Sequence, residues 1–180
     1  MQIVGVSIRT RRAHVEGMTL ALLALFAAPW HADVEIDPTA YVLDGNSIHV
    51  GIGYDRWRLD AGNFALDMPA FTHTPGFDVA FTGYGLKLQL FPWETGAFVG
   101  VDTAVARFAI EREGMIAHET DVQLGVHAGH RIPIARGFYA TPWIGVGYLF
   151  GAHDVMLAGA TFKANPITVF PAVHLGYQFE

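Results

Sequence analysis

Cysteine is absent from the 180 residues, which excludes disulfides, thiolate zinc sites and cysteine nucleophiles. Charge is scarce: 16% of residues are charged, against about 25% in ordinary soluble domains. Positive charge is scarcest. The formal charge is −6, so phosphate neutralisation gives no basis for nucleic-acid binding. Long apolar runs are missing too, since no segment reaches the ~18–20 residues of a membrane-spanning helix. No phosphate loop, metalloprotease helix or nucleotide fingerprint is present, and no cofactor or metal is expected. The length suits one domain with its own core.

What is present begins with an address. Arg9, Arg11 and Arg12 precede the apolar stretch Met18 to Ala28 (MTLALLALFAA), and Pro29 breaks it. This pattern reads as a secretory signal over residues 1–32, with a cut after Ala32. The remaining domain, residues 33–180, carries 8 basic and 16 acidic side chains, a net charge of −8. An acidic exported chain without cysteine suits a Gram-negative envelope.

The rest is 52% hydrophobic in the whole-chain composition, and the apolar residues alternate. Ile48, Val50, Ile52 and Tyr54 oppose His49, Gly51 and Gly53. Tyr84, Leu86, Leu88 and Leu90 oppose Gly85, Lys87 and Gln89. Val99, Val101 and Val105 oppose Gly100, Asp102 and Ala104. Val122, Leu124 and Val126 oppose Asp121, Gln123, Gly125 and His127. Ile144, Val146 and Tyr148 oppose Gly145 and Gly147, and Val173, Leu175, Tyr177 and Phe179 oppose His174, Gly176 and Gln178. Period two means strands with two distinct faces. In a soluble sandwich the second face is rich in charge. Here it is glycine, small residues and isolated polar groups, which fits a narrow barrel interior whose outer wall is apolar. Strands can cross lipid only as a closed barrel, because an open edge leaves backbone groups unpaired.

The fold expected is therefore an all-β, antiparallel, transmembrane up-and-down barrel. Six strands are readable, and bacterial barrels have an even number from about eight. Eight are expected, with the missing pair in 34–44, 61–71 or 153–164. Short connections are expected at 91–95 and 133–136, and longer ones near 61–75, 112–118 and 151–166. Setting Phe91 opposite Gly96 and Pro133 opposite Gly137 pairs Leu88 with Val99 and Leu124 with Val146. It also puts Lys87 diagonal to Asp102, an expected lumenal ion pair. Phe91, Trp93, Phe138, Tyr139, Trp143 and Phe179 cluster at the short-turn end as an expected aromatic girdle. The expected lumenal polar network is Lys87, Asp102, Asp121, Gln123, His127, Arg131 and His174.

The chain ends His174-Leu175-Gly176-Tyr177-Gln178-Phe179-Glu180. This resembles the terminal strand of the small bacterial outer-membrane β-barrel superfamily (OmpX- or OmpW-like, with uncharacterised proteobacterial members). Gly83-Tyr84-Gly85-Leu86-Lys87-Leu88-Gln89 and Phe138 to Trp143 resemble segments of the same superfamily. The resemblance implies an outer-membrane location, contact with outer-membrane lipid and lipopolysaccharide, and reading of Gly176, Tyr177 and Phe179 by the barrel-assembly machinery. It leaves open any partner of the outer loops, and it does not carry an activity.

Ser47 is the only serine after residue 32, and Ser47-Ile48-His49 puts a hydroxyl and an imidazole on one strand face. Lipid A deacylase barrels carry a His-x-Ser pair with an acidic partner; here the order is reversed. Nucleophilic catalysis needs a third, orienting group, and Asp55 is too far along the strand. Ser47 is expected at the periplasmic end, away from outer-leaflet substrate. Histidines 118 and 153, each beside an acid, are expected in outer loops. The leading expectation is a non-enzymatic barrel with a structural, adhesive or small-molecule passage role and a filled lumen. Two alternatives remain: a lipid A or phospholipid acyl hydrolase, and a soluble periplasmic lipocalin-like binder with its apolar face inward.

Overall fold

The computed structural model describes residues 30–179. The expected leader lies outside them up to residue 29, and Trp30, His31 and Ala32 open the first strand. The strands are β1 (Trp30–Ile36), β2 (Asn46–Tyr54), β3 (Trp57–Asp67), β4 (Asp78–Leu90), β5 (Ala97–Arg112), β6 (Met115–His130), β7 (Ile132–Ala135), β8 (Phe138–Phe150), β9 (Val155–Leu157), β10 (Ala160–Phe162) and β11 (Ile167–Phe179). A short helix, α1 (Pro38–Val42), joins β1 to β2.

Eight of these close a ring in the order β1-β2-β3-β4-β5-β6-β8-β11 and back to β1. Closure runs through Ala32 opposite Phe179 and Ile36 opposite Leu175. The fold is an antiparallel up-and-down barrel. The two strands that alternation left unread are β1 and β3. The 153–164 region supplies only the small β9–β10 hairpin, which lies outside the ring.

The two faces of the wall decide the architecture. Leu86, Leu88, Val99, Val101, Leu124 and Val146 all stand on the exterior, between 41% and 55% exposed. Asp33, Arg58 and Asp60 point inward and are at most 1% exposed. This is the inverse of a water-soluble fold.

Register differs by two residues from the sequence expectation in both hairpins. Leu88 faces Val101 and Leu90 faces Val99; Leu124 faces Tyr148 and Val126 faces Val146. The reason is turn chemistry. Phe91 N–H donates to the Arg56 carbonyl and the Gly96 carbonyl accepts from Arg131 N–H, each at 2.8 Å, so both residues bond across to other connections instead of closing their own hairpin. In the second hairpin β7 pairs with β8 through Ile132 opposite Ala140, and the reversal comes later, at Arg136-Gly137. Alternation sets the face and leaves shifts of two free.

Other boundaries move as well. β3 continues to Asp67, so the connection after it is 68–77. The expected 112–118 loop is a two-residue turn, Glu113-Gly114, with both residues at positive φ as a type I′ hairpin requires. His118 and Glu119 therefore lie within β6. Tyr139 and Trp143 belong to the inward face and not to an exterior girdle, because they share the parity of Gly145. At the end where β1 starts and β11 stops, Trp30, Trp57, Trp93, Phe138 and Phe179 are the exposed aromatics.

The opposite, far end is capped by an apolar cluster. Phe77, Val79 and Ile110 are buried there, with Met68, Phe108, Val155, Leu157, Ala160 and Phe162 packed against them. The β9–β10 hairpin and the 68–77 connection fold together over the β4 and β5 ends.

Candidate functional site

The lumen holds one connected polar network. Arg58 of β3 is its hub. Its Nε donates to Asp33 Oδ2 at 2.9 Å, its Nη1 to Gln89 Oε1 at 2.9 Å and its Nη2 to Asp60 Oδ2 at 3.0 Å. Glu35 Oε2 lies 3.4 Å from the same Nη2. Bidentate contact with Asp33 uses the planar fork that lysine lacks. Arg131 reaches in from the terminal end to Asp33 at 3.4 Å and Glu35 at 3.5 Å, with its guanidinium 4.1 Å from the Tyr139 ring centre.

Three lumenal histidines each sit on a carboxylate of their own. His49 Nδ1 is 2.9 Å from Asp60 Oδ1, His127 Nδ1 is 2.9 Å from Asp102 Oδ2, and His174 Nδ1 is 3.0 Å from Glu35 Oε2. Gln123 Nε2 donates to Asp102 at 3.3 Å, and Gln89 Nε2 stands 3.4 Å from His127 Nε2. Four carboxylates (Asp33, Glu35, Asp60, Asp102) thus face three basic side chains (Arg58, Lys87, Arg131). Burying charge without such pairing costs several kcal/mol per ion.

Glycine makes the space. A Cβ on Gly51 would stand 2.4 Å from Asp33 Oδ1 and 2.5 Å from Arg58 Nε. On Gly62 it would meet His49 Nδ1 at 2.2 Å, and on Gly125 Asp102 Oδ1 at 2.8 Å. The glycine face is the imprint of the large polar side chains opposite it.

The structure places Lys87, Asp102, Gln123, His127, Arg131 and His174 on the lumenal face and joins them to this network. Asp121 is buried but stands apart, beside Gly151 at the far end. The expected Lys87–Asp102 pair is not the pairing found. The two residues are cross-strand partners, yet Lys87 Nζ lies 3.8 Å from Asp60 and over the Trp143 ring, while Asp102 takes His127. Asp60 is available because β3 is a wall strand. Gly176 faces inward against the Tyr139 ring; Tyr177 packs edge-on against Phe138 and Phe179.

Sequence reasoning missed Asp33, Glu35, Arg58, Asp60 and Gln89 as network members. The signal was the alternation Arg58-Leu59-Asp60-Ala61-Gly62, with charge on the inward positions. It also misplaced Ser47. That residue begins β2 away from the end where β1 starts, and its Oγ is 3.1 Å from His49 Nε2. Asp60 Oδ1 stands 2.9 Å from the other nitrogen of the same imidazole. Among the described residues no cluster of three or more acidic or histidine side chains is arranged to hold a metal ion.

No protein-family model matches the chain, and no curated protein matches it. Among solved structures it is similar to the crystal structure of Neisserial surface protein A (NspA), with 13% identity and a TM-score of 0.49 over 83% of this chain and 94% of that one.

Proposed function

We propose that this chain is an integral protein of the bacterial outer membrane, a small OmpX- or OmpW-like barrel with a plugged lumen and a structural or adhesive role. One observation carries the reading: a closed ring of eight strands is apolar and half-exposed outside while its interior buries polar and ionisable side chains. Water would leave that exterior unburied, whereas hydrocarbon matches it, and ring closure leaves no strand edge in lipid. A lipocalin-like binder needs the reverse arrangement, with its apolar face lining the cavity.

The end carrying β1's start, β11's finish and the 55–56, 91–96 and 136–137 turns faces the periplasm in this reading. The capped far end faces outward and meets lipopolysaccharide. The closing strand, with Gly176, Tyr177 and Phe179, is what the barrel-assembly machinery reads. Small-molecule passage is disfavoured, since Arg58 and its carboxylates span the middle of the lumen.

Membrane fractionation with heat-modifiable gel mobility tests the reading. An outer-membrane band that shifts on boiling is the expected result, and recovery in the aqueous extract overturns it. Planar-bilayer recording checks the plug: steady large conductance contradicts a filled lumen.

A further inference from the structure

Ser47, His49 and Asp60 form a continuous hydrogen-bonded relay. Ser47 and His49 project inward from β2 two residues apart, as strand geometry requires. His49 faces Gly62 across the ladder, so its ring is free to lean over that glycine and reach Asp60 diagonally. The links are 3.1 Å from Ser47 Oγ to His49 Nε2 and 2.9 Å from His49 Nδ1 to Asp60 Oδ1. Arg58 holds the other Asp60 oxygen at 3.0 Å and Lys87 stands 3.8 Å from the first. With Asp60 accepting from Nδ1–H, the Nε2 lone pair is left for the serine proton. This is the division of roles a nucleophile, base and orienter need.

The wall beside Ser47 also contains a seam in the strand pairing. β1 stops at Ile36, opposite Leu175, so the upper part of β11 has no β1 partner. α1 fills that seam. Its only turn is capped by Asp37, and the Tyr41 hydroxyl donates to the Ser47 carbonyl at 3.4 Å. Beside α1, a shallow depression of about 540 Å³ opens on the outer wall, lined by Thr39, Ala128, Pro142, Ile144, Pro171 and Val173 among others. It is mainly apolar and lies on the face assigned above to lipid.

We propose that Ser47, His49 and Asp60 constitute a hydrolytic site for carboxylic esters of membrane lipids, entered sideways through the α1 seam with the acyl chain in the outer depression. The membrane source of the substrate rests on the outer-membrane reading; the relay does not. Ser47 Oγ adds to the ester carbonyl as its proton passes to His49 Nε2. The carbon–oxygen bond to the alcohol breaks, and the alcohol leaves with that proton. Water then attacks the acyl-serine, giving a proton to His49, and the carboxylic acid is released as His49 returns its proton to Ser47. Asp60 holds the imidazole and its tautomer throughout.

The test uses the full folded protein in detergent micelles with an alkyl fluorophosphonate, followed by peptide mass spectrometry. One label per chain on Ser47 is expected, absent in Ser47→Ala and slowed at least tenfold in His49→Gln, with folding of each variant checked by heat-modifiable mobility. Hydrolysis of a medium-chain p-nitrophenyl ester should fall in the same order. An unlabelled wild type, or a label that persists in Ser47→Ala, overturns the proposal. Labelling of Ser47 in a protein recovered from the aqueous extract supports the relay and overturns the membrane-lipid source alone.

Discussion

The mid-barrel lumen and the far-end cap are both buried interiors, made in part by the same strands, and they are built on opposite chemistry. Along the inward face of β4, Lys87 and Gln89 give way to Phe81 and Val79; along β5, Asp102 gives way to Phe108 and Ile110. The changeover passes through Gly83, Gly85, Ala104 and Ala106. Below it, ions are paired; above it, Phe64, Phe81, Phe108, Phe77 and Phe162 pack edge-on or tilted at ring separations of 5.5–5.7 Å. A cap in water gains from burying apolar surface. In the outer-membrane reading proposed above, a lumen walled off by lipid gains little from that, since the strands' own exterior would already be in hydrocarbon. It is organised by matched charge, which penalises every incomplete alternative.

If that contrast is right, single deletions should behave differently in the two regions. The largest effect belongs to Arg58→Ala, which strands Asp33, Asp60 and Glu35 without their shared cation. A loss of about 3–5 kcal/mol is expected for breaking a buried ionic partnership from one side, read as a lower urea midpoint for the heat-modifiable band. A shift under about 1 kcal/mol would mean that water enters the lumen and the charges are not desolvated.

Phe77→Ala comes next. Deleting a buried ring costs about 3 kcal/mol where the site cannot collapse, and here that cost falls on the cap. The expected outcome is faster protease cleavage in 68–77 and 151–166 with the barrel's heat-modifiable shift retained. Simultaneous loss of both would show that cap and barrel are one cooperative unit.

Gly51→Ala is expected to cost about 1–3 kcal/mol, as overpacking does, because its methyl would land 2.4 Å from Asp33 Oδ1. Gly62→Ala is the sharper probe. It should push His49 off Asp60 and slow fluorophosphonate labelling of Ser47 more than it lowers stability. A variant labelled as fast as wild type would show that the Gly62 gap is not what seats His49.

How much of this was legible follows the same division. Inward and outward parity was readable wherever apolar residues alternate with glycine, because a one-residue slip inverts both faces. Two-residue slips do not, so the Leu88 and Leu124 registers were set by Gly96 and by the β7 segment, which alternation cannot see. β1 and β3, which overlap the 34–44 and 61–71 regions expected to hold the missing pair, were not readable as strands because their inward positions are Asp33, Glu35, Arg58 and Asp60, and charge in a strand reads as loop. That omission had a consequence for the site. Ser47 was expected at the end of the short 91–95 turn, whereas the structure puts it at the opposite end, and Asp60 of the weakly patterned β3 is the carboxylate its His49 reaches.

The smallest effect expected concerns the outer connection over residues 151–166, where the comparison extends to pH. His153 is exposed. The Gly151 carbonyl, accepting from Nδ1 at 2.8 Å, and then Glu119 raise its pKa above the ordinary imidazole value. A group raised on folding stabilises the fold fully below its unfolded pKa, and this contribution fades as pH climbs through the raised value. Asp154 is shifted the other way, chiefly by its hydrogen bond from Lys163, so its contribution is present above the usual carboxylate range and lost as pH falls through the depressed value. The two windows overlap in mildly acidic solution. Protease nicking of this connection should therefore be slowest near about pH 5–6 and rise modestly towards about pH 8 as His153 loses its proton. His153→Gln should flatten that rise, and added salt should shrink it, because both pairs are exposed and screened. A rise that survives His153→Gln would assign the sensitivity to another group, and a barrel that loosens in step would erase the boundary drawn between the two regions.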